Sequence, residues 1–160
     1  MNVKKLTQLS LLTAAALIIF IVEVRIPNII PIPGVKLGLA NIITVYAVYG
    51  YHASEVCMIV MVRILLCSIF SGTPVSFIYS VCGAMCCLCG MLLIKRIIPA
   101  SHIWLASPIG AVFHNIGQIL AAVLVMQTTA VFVYLPILMI SGIISGLFTG
   151  ICAQVLVKRI

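Results

Sequence analysis

Acidic residues are almost missing from this chain, and that limits its fold more tightly than any motif does. There is no Asp, and the two acids, Glu23 and Glu55, stand against nine Lys and Arg. Only 7% of the residues are charged, where soluble domains keep about a quarter. Apolar residues make up 64% and fall in long runs. The solvent for most of the chain is therefore lipid. A charge inside such a run is costly and seldom idle. Function is expected at the few polar residues that remain at bilayer depth.

Six apolar runs can be drawn, over 6–24, 38–50, 53–71, 74–94, 104–127 and 130–157. They are too long and too uniformly apolar for the alternating strands of a β-barrel, so all are read as helices. The first would be about 28 Å long, enough to span a bilayer. The second is short and follows Pro31, Pro33 and Gly34. The expectation is one domain of 160 residues, an all-α integral membrane protein built as a six-helix transmembrane bundle. The start of the chain resembles a signal peptide. Its apolar stretch continues to Val24 with no small-x-small cleavage site, so it is read as a retained first helix.

The basic residues sit in pairs at the ends of the runs, where topology signals belong, rather than in a patch for nucleic acid. With the N-terminus inside, the inner side holds Lys4, Lys5, Lys95, Arg96, Lys158 and Arg159. The outer side then holds only Arg25 and Lys36. Both termini are expected to be cytoplasmic. The connection 25–36 is apolar for a loop facing water and is expected to fold over the outer mouth of the bundle.

Two patterns have a plain reading and a sharper one. Cys86-x-x-Cys89, within the cluster Cys82, Cys86, Cys87 and Cys89, has metal or redox spacing. With no His or acid close by, it reads better as small residues packing in an apolar helix. A thiol oxidoreductase would also need a cysteine pair near the outer face, and the outer loops hold none. Gly142-x-x-x-Gly146-x-x-x-Gly150 lays a smooth stripe along the last helix. It allows close approach either to another helix of the bundle or to a docking partner. Ser10 with Ala14 is a weaker small patch on the first helix.

Candidate chemistry lies deeper. Arg63 is near the middle of the third run, too deep to snorkel easily. His114 and Gln118 are four apart and share a helix face, with Asn115 beside them. As mere polar glue, Arg63 would be satisfied by helix carbonyls and by Gln118 or Asn115. Glue rarely needs a permanent cation, so a functional cavity is the preferred reading. The second helix is expected to begin at the outer face, with its free N–H groups beside Lys36, and with Gly34 and Gly38 letting a ligand approach. Asn41 lies at the same end. The fourth helix is expected to start there too, capped by Thr73-Pro74, with Tyr79 able to line the site. Together these groups form an outward-facing anion site. Glu23 is expected to pair with Arg25 or Lys36, and Glu55 to be solvated in a short inner loop.

Three motifs carry a resemblance over nearly the whole chain. Pro-Gly-Val-Lys-Leu-Gly-Leu-Ala-Asn at 33–41, Ser-Gly-Thr-Pro at 71–74 with Tyr79, Ser80 and Gly83, and Gly-Ala-Val-Phe-His-Asn-Ile-Gly-Gln at 110–118 resemble the bacterial Gx transporter family. That family is often labelled heptaprenyl diphosphate synthase component I. It is similar to the substrate-binding S components of energy-coupling factor transporters. The resemblance implies a plasma-membrane protein with an outward-facing pocket for a vitamin-like molecule, linked by gene neighbourhood to flavin or quinone. It also implies docking onto a T subunit driven by two cytoplasmic ATPases. Docking in such proteins uses an Ala-x-x-x-Ala patch, which Ser10-x-x-x-Ala14 approximates. The ligand set implied here is Gly34, Lys36, Asn41, Arg63, Tyr79, His114, Asn115 and Gln118, with no cofactor and no metal.

The synthase label can be weighed by chemistry. Prenyl diphosphate synthases hold magnesium diphosphate on Asp-rich motifs, because hard cations want carboxylate oxygens. A chain without Asp cannot be the catalytic subunit by that route, and no P-loop for ATP is present. The expected role is therefore capture of a small anionic molecule, not catalysis. The rival readings are a non-catalytic membrane partner of a polyprenyl or quinone pathway enzyme, and a pure scaffold.

Overall fold

The computed structural model describes residues 3–25, 38–71 and 74–159. The stretch 26–37, which holds the expected ligand residues Gly34 and Lys36 and the expected covering loop, lies outside the described residues. So does the expected helix cap at Thr73. Among the described residues six α-helices follow one another: α1 Val3–Arg25, α2 Asn41–Gly50, α3 Ala53–Ser71, α4 Pro74–Ile94, α5 Ile103–Met126 and α6 Leu135–Arg159. Short 3-10 helices, Ala100–His102 and Thr129–Tyr134, precede α5 and α6. The last run thus starts as 3-10 and becomes α only at Leu135, where Pro136 suits a first helical turn.

Five of these helices are long and apolar enough to cross a membrane, and α2 is not. Its 10 residues reach only about 15 Å, half of a hydrocarbon core near 30 Å. The protein is a helical membrane bundle in which one member is a half-helix. Side chains on its flanks fit that solvent: Leu11, Ile69 and Leu124 are 71–73% exposed and apolar, as lipid contact demands.

Polar contacts fix the inner end of the bundle. His52 and Glu55 form a capping-box pairing at the start of α3, where the His52 backbone N–H donates to the Glu55 carboxylate at 3.1 Å. That carboxylate also meets Lys5 Nζ at 2.6 Å, tying α1 to α3. Glu55 is a structural link, not the merely solvated residue expected. Lys95 Nζ donates to the Val48 carbonyl at 2.6 Å, placing a cation at the C-terminal end of α2 where the helix dipole favours one. At the base of α5, Gln154 is buried and works in both directions. Its Oε1 accepts from the Ile103 N–H at 2.7 Å and its Nε2 donates to the Ala100 carbonyl at 2.9 Å.

The core sits where α1, α2, α3 and α4 meet. Leu9, Val48, Val56, Ile59, Val60 and Met91 are almost fully buried there. Leu9 and Ala16 make α1 a layer of the bundle. The most extensive pairings are α5 with α6 and α5 with α4. Glycines explain both. A Cβ on Gly146 would stand 2.6 Å from the Pro108 Cα, and one on Gly150 would stand 2.9 Å from the Trp104 Cα. One on Gly142 would collide with the Asn115 amide. The stripe Gly142, Gly146, Gly150 is therefore spent on α5. Of the two readings open for it, packing against another helix of the bundle holds, and the docking alternative is corrected, because no backbone of another protein can reach a surface that α5 already covers. Ser10 and Ala14 remain exposed on α1, among apolar side chains.

Replacing Gly146 with Val should destabilise the protein by about 1–3 kcal/mol through overpacking. Ser10→Val should change stability by less than about 0.5 kcal/mol, as at an exposed site. Thermal unfolding of both variants in detergent checks this.

Candidate functional site

The half-helix creates the site. Because α2 is only about half as long as the helices beside it, its N-terminus opens part-way through the bundle. Arg63, ten residues beyond the start of α3, lies about 15 Å along that helix, at the level where α2 begins. Its guanidinium is 7% exposed. Nη1 donates to the Ala40 carbonyl at 3.0 Å and to Thr44 Oγ1 at 3.2 Å. Nη1 and Nη2 both reach Asn41 Oδ1 at 3.4 Å. Arg63 thus takes its described partners from the start of α2: one is a backbone carbonyl, as the polar-glue reading had it, and the side-chain partners are Asn41 and Thr44 rather than Gln118 or Asn115.

A cavity of about 140 Å³ opens against this corner. From the expected ligand set, Asn41, Arg63, His114, Asn115 and Gln118 all line it. Tyr79 is not among its described lining residues, and Ser76, Phe77 and Ser80 of the same helix turns are. Asn115 is also a tether. Its Nδ2 donates to the Leu138 carbonyl of α6 at 2.5 Å. The His114 and Gln118 face depends on Gly83 of α4. A Cβ there would stand 2.8 Å from Gln118 Cγ and 3.0 Å from His114 Cε1. A glycine opposite these two side chains is what gives them room.

Several lining residues were not expected from the sequence. Glu23 is 8% exposed and lines the cavity. Its Oε1 accepts from the Gly38 backbone N–H at 2.5 Å, so it joins α1 to the turn before α2. Gly38 has φ +69, a left-handed backbone that glycine adopts without a steric penalty. A signal for Glu23 was present: it is a carboxylate within an apolar run. Ser141 and Ser145 of α6 also line the cavity, four apart beside the glycine stripe. A smaller void of about 20 Å³ adjoins Asn41, Ala111 and Ser145 and reaches Ser107 and Thr149, whose hydroxyls lie 3.1 Å apart. Polarity therefore continues from the cavity toward the inner end of α5 and α6.

Of the cysteine cluster, Cys87 lines the smaller void beside Asn41, and Cys82, Cys86 and Cys89 are not among the lining residues described for either cavity. Cys86 packs where a Cβ on Gly117 would fall, and Cys89 is exposed on the apolar flank. Among the described residues, no group of His, Cys, Asp and Glu is placed to hold a metal ion.

A family model described as heptaprenyl diphosphate synthase component I matches residues 12–156. The chain belongs to that family. The match takes in α2 to α5 whole and the larger part of α1 and α6, and it includes the motifs at 33–41, 71–74 and 110–118. Comparison with curated proteins and with solved structures finds no significant match. The family description names a component of a synthase.

Two substitutions separate the parts of the site. Arg63→Lys keeps the charge but loses the fork that spans Ala40, Asn41 and Thr44. It should cost about 1.5–3 kcal/mol, the range for hydrogen bonds to charged groups, read by denaturation in detergent. Gly83→Ala should push His114 and Gln118 out of place and make the cavity smaller. Solvent-accessible labelling of His114 by a carbethoxylating reagent, compared with the parent, checks the displacement.

Proposed function

We propose that this chain is a membrane-embedded capture subunit of the S-component type, which takes a small anionic or partly anionic molecule from the outer side of a bacterial plasma membrane. One observation carries the reading. Arg63, Asn41, His114, Asn115 and Gln118 converge on a single cavity at bilayer depth. The start of α2 adds the positive end of a helix dipole to the fixed guanidinium. Half-helix N-termini aimed at anionic groups near the midplane are a recurring device of membrane transporters. The size limits the solute. A cavity near 150 Å³ takes benzene, whereas drug-sized ligands need about 300–1,000 Å³. A flavin would require the bundle to open further.

In this reading the chain does not turn over its ligand. A T subunit and cytoplasmic ATPases supply the energy. The α1 face with Ser10 and Ala14, exposed and smooth, is the surface offered to such a partner. The second reading is a non-catalytic membrane partner of a polyprenyl diphosphate synthase, which the family description favours. A prenyl chain would need an apolar slot open to lipid, whereas the described cavity mixes polar side chains from all six helices with Phe20, Ile64 and Phe77.

The deciding experiment is native mass spectrometry of the gently purified chain, with extraction of what travels with it. The Arg63→Ala, His114→Ala double variant is run beside it. Capture predicts a discrete polar solute in the parent that falls at least tenfold in a variant with an unchanged helical circular dichroism spectrum. A prenyl lipid retained equally by both proteins would sink the capture reading and favour the synthase-partner one.

A further inference from the structure

Glu23 gives the cavity a second, opposite charge. The chain has two acids in all, and one of them lines the same cavity as Arg63. Each is fastened by different groups. Arg63 is held by Ala40, Asn41 and Thr44, and Glu23 by the Gly38 backbone N–H. They do not close on each other: among the described residues the one ion pair is Lys5 with Glu55. Gly38 and Ala40 are two residues apart, so the two charged groups lie within roughly 15 Å of each other.

Bonding capacity remains on both. A guanidinium has five donors in a rigid fork and a carboxylate accepts on two oxygens. The Arg63 bonds engage Nη1 and Nη2, and the Glu23 bond engages Oε1. Opposite charges in a low-dielectric site are costly when held apart, unless something between them satisfies both. The two also differ in level. Glu23 lies near the outer end of α1, while Arg63 lies about halfway along α3.

We infer that the solute is a zwitterion, with its anionic group on Arg63 and its cationic group on Glu23. This deepens the capture reading and rests on it. The ammonium end faces the outer side and the carboxylate or phosphate end enters first. His114, Gln118 and Ser80 flank the linker between them. A cavity of about 140 Å³ sets the size at that of a small amino acid. Binding then selects against simple anions, which leave Glu23 without a cation, and against simple amines, which leave Arg63 without an anion.

The test uses the full chain in lipid nanodiscs and three matched series of probes. These are glycine, 3-aminopropanoate and 4-aminobutanoate; acetate, propanoate and butanoate; and ethylamine, propylamine and butylamine. Binding is read as a saturable rise in Tm. The expected result is a rise with one aminoalkanoate and none with its matched acid or amine. Glu23→Gln keeps an oxygen to accept the Gly38 N–H, so the fold is retained, and it should weaken that probe at least tenfold. Glu23→Asp keeps the charge on a shorter arm and should move the preference to a longer aminoalkanoate. If the acids bind as tightly as the aminoalkanoates and Glu23→Gln changes nothing, the zwitterion assignment is wrong, while Arg63-dependent anion capture stands. If none of the nine probes raises Tm, the assignment also falls. The co-purification experiment then decides by itself whether the cavity captures any solute.

Discussion

A guanidinium cannot sit at bilayer depth without partners, and the way Arg63 obtains them organises the rest of this structure. Insertion scales put an arginine at the centre of a membrane helix at about 2.5–3.5 kcal/mol. The chain meets that demand at the start of a half-helix. The Ala40 carbonyl, at the N-cap of α2, has a second lone pair for the guanidinium, and Asn41 and Thr44 add side-chain oxygens one turn apart. The short helix, the deep arginine and the cavity are thus one arrangement.

Holding a half-helix in place takes anchors at both ends. The outer end is held by Arg63 and by the Glu23 bond to Gly38. The inner end is held by Lys95 on the Val48 carbonyl. The wall opposite is made rigid by close packing, not by charge. Gly83 lets α4 and α5 approach around His114 and Gln118, and the stripe at Gly142, Gly146 and Gly150 lets α6 do the same from the other side. With apolar solvent outside, van der Waals contact of this kind is what holds membrane helices together. Small residues and the polar cavity therefore serve one end: a stiff pocket whose donors and acceptors keep their positions.

Much of this was legible in the sequence, and for a definite reason. A lipid solvent forces every backbone group into helices, so six apolar runs gave the bundle and nearly gave its boundaries. The same solvent makes polar residues conspicuous, which is why Asn41, Arg63, His114, Asn115 and Gln118 could be named before their cavity was seen. What stayed open or failed has one cause. The partner of the glycine stripe and the pairing of Glu55 depend on which helix lies beside which, and spacing along one helix cannot say that. Glu23 shows the same limit. Its position in an apolar run marked it as costly, and only its neighbour Gly38 revealed that it faces the cavity.

The amino-acid sequence alone determined the solvent, the helical class and the short list of groups able to do chemistry, because a bilayer penalises each unpaired polar atom locally. The tertiary structure decided the rest. It set the half-helix against Arg63, turned the glycine stripe inward onto α5 and brought an acid and a base to one cavity. Those outcomes arise from contacts between segments far apart in the chain, where the energy depends on distance in space and not on order in sequence.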